Sequence, residues 1–180
     1  MASQHELTDA RNARFLALLE PVYADCERWA LSLTRNEPDA ADVLSEAVMT
    51  ALQGIHLLKK DGAFKFWMFR IIMNAYRMQL RSRKREPDAV DPELMPALGP
   101  RDDHWVERGE QAKTVRLTLE QLSPEQREAL VLFEVHGLSI REVSEVLGKK
   151  EGAVRVLLHR ARERLEELLR KAGINPAESR

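Results

Sequence analysis

Apolar residues recur every three or four positions through most of the first 83 residues, which is the spacing of amphipathic helices. One such face spans residues 15–33, and Pro21 within it fits only near a helix start or at a kink. A second helix is predicted to open at Pro38 or Asp39. A third is predicted over residues 63–83, and its apolar stripe consists of Phe66, Phe69, Ile72, Met73, Tyr76 and Leu80.

The second half of the chain carries the start and stop signals of closely spaced helices. Ser123-Pro124-Glu125-Gln126 and Ser139-Ile140-Arg141-Glu142 both have the pattern of a capping box. The first of these helices is expected to end at Gly137 and the second, about nine residues long, at Gly148. A longer helix is expected to begin near Glu151. The pattern predicts a helix-turn-helix.

A change of composition separates the two halves. Residues 86–104 contain four prolines, one glycine and several acids without periodicity, which is typical of a linker. The 44% of hydrophobic residues can give each half a core, and 32% charged against 6% aromatic residues favours helices over sheets. The expected fold is all-α, with two small helical domains at 1–85 and 105–172, a flexible acidic linker, a helix at 105–122 and a polar tail at 173–180.

The net charge of -1 conceals two basic segments. Residues 65–85 hold seven basic side chains and no acidic ones, and residues 148–180 carry a net charge of +4, whereas the remaining segments are acidic. Local fields rather than totals attract phosphate, so two surfaces suited to a polyanion are predicted. The alternative is a pair of solvated helix faces.

Several classes of protein are disfavoured. Apolar runs fall short of the ~20 residues that a membrane-spanning helix needs, and the polar start lacks a secretory signal, so a cytoplasmic protein without direct membrane insertion is expected. For Cys26, the single cysteine, a buried apolar role is favoured over a redox role. The five histidines lack metal-ligand spacing, and the chain has no phosphate loop or nucleophile elbow, so neither an enzyme nor a cofactor is expected.

The first basic segment mixes aromatic and basic residues. Such a mixture suits single-stranded nucleic acid, whose bases stack on rings while its backbone is neutralised by cations. Most of the rings are expected in the core because of their helical spacing, with Trp67 and the helix edge near Asn74 as the best candidates for contacting bases. The interleaved basic residues are Lys65, Arg70, Arg77 and Arg81.

The predicted helix after Gly148 carries a second candidate set. At 100° per residue, Arg155 belongs to a narrow basic stripe that lies away from the apolar positions Val154 and Leu158, so the stripe is free to meet DNA. Arg155 is expected to read guanine through two hydrogen bonds. The alternative to DNA binding is a protein-docking bundle with a charged surface. The stripe consists of Arg155, His159 and Arg162, and phosphate contacts are expected from Lys149, Lys150, Arg160 and Arg162.

Three motifs, in this order and spacing, resemble the extracytoplasmic-function (ECF) sigma factors of the sigma-70 family. They are DAADVLSEAVMTAL, FKFWMFRIIMNAYRMQLRSRKR and LSPEQREALVLFEVHGLSIREVSEVLGKKEGAVRVLLHRARERL. In order, they look like the core-binding region 2, the promoter-melting segment and region 4. The resemblance covers nearly the whole chain and implies an alternative sigma factor, which binds core RNA polymerase and directs promoter-specific initiation.

The resemblance also implies roles for particular residues. The polymerase clamp helices would be gripped by Asp39, Asp42 and Glu46. The linker would enter the RNA channel of the polymerase, and an anti-sigma factor would be a further partner. Melting and reading of the -10 promoter element would fall to Trp67, Arg70, Asn74 and Arg77, extended by the basic Arg81. The duplex -35 element would meet Arg155, His159 and Arg160, beside the phosphate contacts expected from Lys149, Lys150 and Arg162.

One departure and two alternatives accompany this resemblance. Where the family usually has Thr-Val-Arg-Ser-Arg, residues 153–157 are Ala-Val-Arg-Val-Leu, which loses two hydroxyls and an arginine and puts the usual sequence preference in doubt. A sigma mimic that occupies an anti-sigma factor without touching DNA is one alternative, but it has no use for the seven basic side chains of residues 65–85. A stand-alone helix-turn-helix repressor is the other, and it leaves residues 39–85 unexplained.

Overall fold

The protein is represented by a computed structural model, which describes residues 4–83 and 117–173 as two compact helical units. All regular secondary structure in these residues is helical, as the sequence predicts. The expected linker, most of the helix expected at 105–122 and nearly all of the expected tail lie outside the described residues. The exact domain boundaries therefore stay predictions.

Within residues 4–83, the first unit contains four α-helices. Helices α2, α3 and α4 pack against one another, and α1 lies against α4. Their shared core includes Phe15, Cys26, Trp29, Ile55 and Phe69, all essentially inaccessible to solvent. The bounds are Gln4–Leu19 for α1, Tyr23–Thr34 for α2, Glu37–Gly54 for α3 and Phe64–Arg83 for α4.

The apolar stretch at 15–33 is divided by a 3-10 turn at Glu20–Val22, because Pro21 has no amide N–H for the α-helical ladder. Pro21 therefore lies just before the start of α2, as its position in the sequence predicts. One helix boundary in this unit differs from the sequence prediction. The second predicted helix begins at Glu37, one residue before Pro38. Its cap is Asn36, whose side chain accepts a hydrogen bond of 2.8 Å from the backbone N–H of Asp39.

The buried arc of α4 is also displaced from the predicted stripe. Phe69, Ile72 and Met73 are buried as predicted, whereas the other three predicted positions, Phe66, Tyr76 and Leu80, are only half-buried. Phe64, Met68 and Ala75 are buried in addition. The reason is that α2 and α3 both pack on α4 and together cover a wider arc than one apolar stripe.

The second unit contains the predicted helix-turn-helix. Helix α5, Pro124–Leu130, continues as a π-helical turn at Val131–Val135 and is followed by α6, Ile140–Leu147, and α7, Glu151–Lys171. Both capping boxes are confirmed; in the second, the Ser139 backbone N–H donates to Glu142 at 2.8 Å. Gly148 ends α6 at a φ of 64°, so the predicted left-handed stop is also confirmed.

The turn between α6 and α7 gives a stability prediction. We expect Gly148→Ala to lower the free energy of unfolding by about 1 kcal/mol, because a side chain at this positive φ is strained. Gly152→Ala is the matched control: this glycine is helical, an added Cβ would meet nothing within 4 Å, and the variant should be no less stable. Urea unfolding followed by circular dichroism measures both, and equal destabilisation would contradict the prediction.

Candidate nucleic-acid interfaces

Helix α4 brings the predicted melting residues to one outer face. Their spacing of three and four positions places them on one side of the helix, opposite the buried Phe69 and Ile72. Trp67 and Arg77 are half-buried and the other three are exposed. The face, called here the α4 face, consists of Trp67, Arg70, Asn74, Arg77 and Arg81.

Two aromatic contacts fix the N-terminal end of the α4 face. The indole of Trp67 packs on the ring of Phe64, with centroids 5.9 Å apart, and a Cβ added at Gly54 would lie 3.6 Å from the indole. The guanidinium of Arg70 lies over the ring of Phe66 at 5.9 Å from the ring centroid, a cation–π contact. Trp67 is thus braced by α3 and α4 while its remaining surface stays accessible.

Two other basic side chains of the first basic segment are neutralised within the unit. Lys65 forms an ion pair of 2.8 Å with Asp25, which also binds Arg28. Burial by itself would raise the pKa of Asp25, but the hydrogen bonds from Lys65 and Arg28 hold it below its usual value. Arg83 is paired with Asp39. Two of the basic side chains between residues 65 and 83 are therefore paired with acids of the same unit, which weakens the positive field that the sequence suggests.

The three predicted polymerase-binding acids separate into two groups. Asp39 accepts two hydrogen bonds from the guanidinium of Arg83, one of them 2.9 Å long, and its side chain is only 13% exposed. The hydrogen bond from Arg83 lowers the pKa of Asp39. Asp42 and Glu46, by contrast, are exposed on the outer side of α3. Asp39 thus has a partner inside the unit that the sequence did not indicate.

Met49 is a residue of this outer side that sequence reasoning missed. It lies seven positions after Asp42 and three after Glu46, which places all three on the same side of α3, and it is 55% exposed. The seven-residue spacing from Asp42 is the sequence signal that places Met49 on this side. A methionine in an amphipathic helix is usually a core residue, so the sequence alone favours the core for Met49.

The predicted duplex-reading residues surround the start of α7. Lys150 and Arg160 are exposed, whereas Lys149 is half-buried and forms an ion pair of 2.6 Å with Glu125 of α5. Arg155 and His159 are exposed, and each pairs with an acid one turn away on the same helix surface, before Arg155 and after His159. These intrahelical pairs are Arg155–Glu151 and His159–Glu163, both 3.1 Å long.

Arg162 differs from the rest of the predicted stripe. Its guanidinium donates two hydrogen bonds, of 3.0 and 2.6 Å, to one carboxylate oxygen of Glu134 and lies 5.3 Å from the ring centroid of Phe133. Both partners belong to the π-helical turn after α5. Arg162 therefore connects α7 to the preceding helix, and its predicted phosphate contact competes with this role.

The remaining candidate chemistry is limited. Cys26 is fully buried, and burial raises the pKa of its thiol to about 12, so the thiol is not a reactive group. Within residues 4–83 and 117–173, no group of three or more His, Cys, Asp or Glu side chains is arranged to hold a metal ion. None of the described helices is both long enough and apolar enough to cross a membrane.

The fold first defines a class: an all-helical, two-domain protein with a helix-turn-helix in the second domain. The family model described as Sigma-70 region 2 matches residues 18–86, and that described as Sigma-70, region 4 matches residues 113–165. The chain is 34% identical over 155 residues to the ECF RNA polymerase sigma factor SigM of Mycobacterium tuberculosis, covering 86% of this chain and 76% of SigM. The chain belongs to the ECF sigma factors of the sigma-70 family.

Two further relatives agree with this assignment. ECF RNA polymerase sigma factor SigE of Mycolicibacterium smegmatis is 31% identical over 155 residues, a match covering 84% of this chain and 60% of SigE. The chain thus spans less than two thirds of that relative. The solved structure of sigma factor RpoE in complex with the anti-sigma factor NepR from Bartonella quintana has a TM-score of 0.67 and 29% identity, covering 84% of this chain and 94% of that chain.

The Asp39–Arg83 pair gives a pH-dependent prediction. Because the pKa of Asp39 is lowered in the folded state, the pair stabilises the protein above about pH 4 and this stabilisation is lost as the pH falls further. We expect Asp39→Asn to lower the free energy of unfolding by about 1 kcal/mol at pH 7, after discounting for solvent at Arg83, and by progressively less as the pH falls below about 4.

Glu46→Gln is the matched control for this experiment, since Glu46 is exposed on the same helix. Urea unfolding of both variants and the wild type between pH 3 and 7 measures the difference. A Glu46→Gln effect as large as that of Asp39→Asn, or an Asp39→Asn effect independent of pH, would contradict the assigned role of the pair.

Burial of Cys26 predicts a slow thiol reaction. With its pKa raised to about 12, we expect a thiol-specific disulfide reagent at pH 8 to label the folded protein at least ~100-fold more slowly than the urea-unfolded protein. An exposed cysteine introduced on α3 by Ser45→Cys should react at the unfolded rate. Rapid labelling of Cys26 in the folded wild type would show that the thiol is accessible after all.

Proposed function

We propose that this protein is an alternative sigma factor that binds core RNA polymerase and directs promoter-specific initiation. The first domain opens and reads the -10 element, and the second reads the -35 element as duplex DNA. The observation that carries the proposal is the α4 face, where aromatic, amide and guanidinium groups share one accessible side of the helix.

The chemistry of the α4 face suits a melted DNA strand. An unstacked base can be held against the accessible edge of Trp67, while the amide of Asn74 can donate to and accept from a base edge. Arg70, Arg77 and Arg81 follow along the same side and can neutralise successive phosphates. A duplex would offer no free base faces to such a surface, which is why single-stranded DNA is its proposed ligand.

The helix-turn-helix is proposed to read the upstream duplex element. The start of α7 is exposed, and Arg155 and His159 can exchange their intrahelical acid partners for base edges or phosphates. Lys149, Lys150 and Arg160 are proposed to position the helix on the backbone. Arg162 is the weakest member of the set, because leaving Glu134 would break two hydrogen bonds and a cation–π contact.

Polymerase binding is proposed for the outer side of α3. Asp42 and Glu46 are accessible there, with Met49 as an apolar neighbour, whereas Asp39 would act indirectly by holding the start of α3 to the end of α4. The relative in complex with an anti-sigma factor supports a partner of that kind for this chain. A protein acting on polymerase and promoters would work in the cytoplasm and without catalysis of its own.

Run-off transcription with core polymerase on a library of promoter fragments tests this proposal. Transcripts that depend on the protein and come from a defined subset of fragments would support it. Core binding without any transcript would favour a sigma mimic, and the absence of core binding would favour a DNA-binding repressor instead.

A variant of the α4 face sharpens the same test. We expect Arg70→Ala with Asn74→Ala to reduce initiation from duplex promoters at least about tenfold, because contacts to bases and backbone of the melted strand are lost, with core binding retained. Arg11→Ala, which removes an exposed arginine elsewhere in the first unit, should leave initiation unchanged. Full activity of the double variant would remove the α4 face from the mechanism.

A further inference from the structure

The outermost surface of the first half of α7 is small and apolar rather than charged. Val154 and Leu158 are both buried, and Val156 is two positions from each of them. At about 100° per residue, measured in one direction, Val156 lies about 200° beyond Val154 and about 160° beyond Leu158, so it is nearly opposite both. Val156 is therefore directed almost straight away from the core, and it is 48% exposed. Gly152, one turn earlier, is on the same side.

The charged side chains of α7 flank this apolar strip. Arg155 lies about 100° from Val156 on one side, and His159 follows one turn after Arg155 on that same side. Arg160 lies about 40° from Val156 on the other side. At Gly152 an added Cβ would meet nothing within 4 Å, so no side chain holds another surface away from the helix at this point. When α7 enters a groove, the groups nearest its floor are Gly152 and Val156, with the cations directed towards its walls.

The chemistry of valine restricts what it can recognise there. Its side chain has neither donor nor acceptor, and in the major groove the C5-methyl of thymine is the apolar group presented by a base. Any polar base edge placed against Val156 would lose water without gaining a hydrogen bond, which is unfavourable. A single exposed valine is ordinary on a protein surface, so it is the position of Val156 on α7, rather than its exposure, that carries weight.

We propose that Val156 is a specificity-determining residue that contacts the C5-methyl group of a thymine in the upstream duplex element. The proposal rests on the function proposed above, in which α7 enters the major groove. It gives a positive role to one of the three positions at which this chain departs from the family pattern in its recognition helix.

The test uses holoenzyme formed from the full chain and core polymerase, on a promoter obtained by selection from the library. Each thymine of the upstream element is replaced in turn by deoxyuridine, which removes only the methyl group. We expect one such change to weaken promoter binding by the wild type about fourfold, the ratio for burial of one methyl group. Cytosine and 5-methylcytosine at the same position, compared with each other, should show the methyl restoring part of the affinity.

Variants of the protein connect this methyl effect to Val156. Val156→Ala should bind the thymine promoter about as weakly as the wild type binds its deoxyuridine form, and should show little further loss on the deoxyuridine form. Val156→Thr keeps one methyl group and the branched shape, so it should retain part of the discrimination. Val135→Ala is the matched control, since Val135 is 60% exposed in the same unit but lies outside α7.

The outcomes separate this inference from the proposed function. If the holoenzyme selects promoters but no thymine of the upstream element is methyl-sensitive, or if the Val156→Ala and deoxyuridine effects simply add, the inference is overturned while the sigma-factor function stands. If the holoenzyme selects no promoter at all, the proposed function fails and the inference fails with it. Circular dichroism of the Val156 variants confirms that their helical content is unchanged.

Discussion

The contact between Trp29 and Phe69 sets the rotation of α4, on which the candidate site of the first unit depends. Both side chains are fully buried, their rings stack with centroids 6.0 Å apart, and the indole N–H of Trp29 donates to the backbone carbonyl of Phe69 at 3.3 Å. Because one partner is the backbone of α4, the contact fixes the helix itself and not only a side chain. The α4 face is accessible because the opposite side of α4 is held in this way.

In the second unit, the orientation of α7 depends mainly on signals that are local in the sequence. Capping boxes start α5 and α6, and a left-handed Gly148 ends α6, so the position of α7 follows closely from the chain direction. A long-range contact is also present: Arg162 binds Glu134 and Phe133, which joins α7 to the π-helical turn after α5. One arginine of α7 thus connects this helix to the preceding one, while Arg155, His159 and Arg160 remain exposed.

Electrostatics link these packing constraints to the proposed function. The cations nearest the ends of α4 are neutralised by acids of α2 and α3, Lys65 by Asp25 and Arg83 by Asp39, and so contribute to cohesion. Those in the middle of α4 lie on its outer face. A row of basic side chains without acidic partners would repel itself. The ion pairs at the two ends of α4 reduce this repulsion and leave positive charge where a melted strand is proposed to bind.

The sequence by itself determined the helices, the capping boxes, the glycine stop at Gly148 and the grouping of candidate residues on helical faces, because these depend on residues within about four positions of one another. Only the tertiary structure decided which candidates already have partners. Asp39 and Arg83 are 44 positions apart, and Arg162 and Glu134 are 28 apart. Such pairs leave no periodic trace in the sequence, since they form only when packing brings separate helices together.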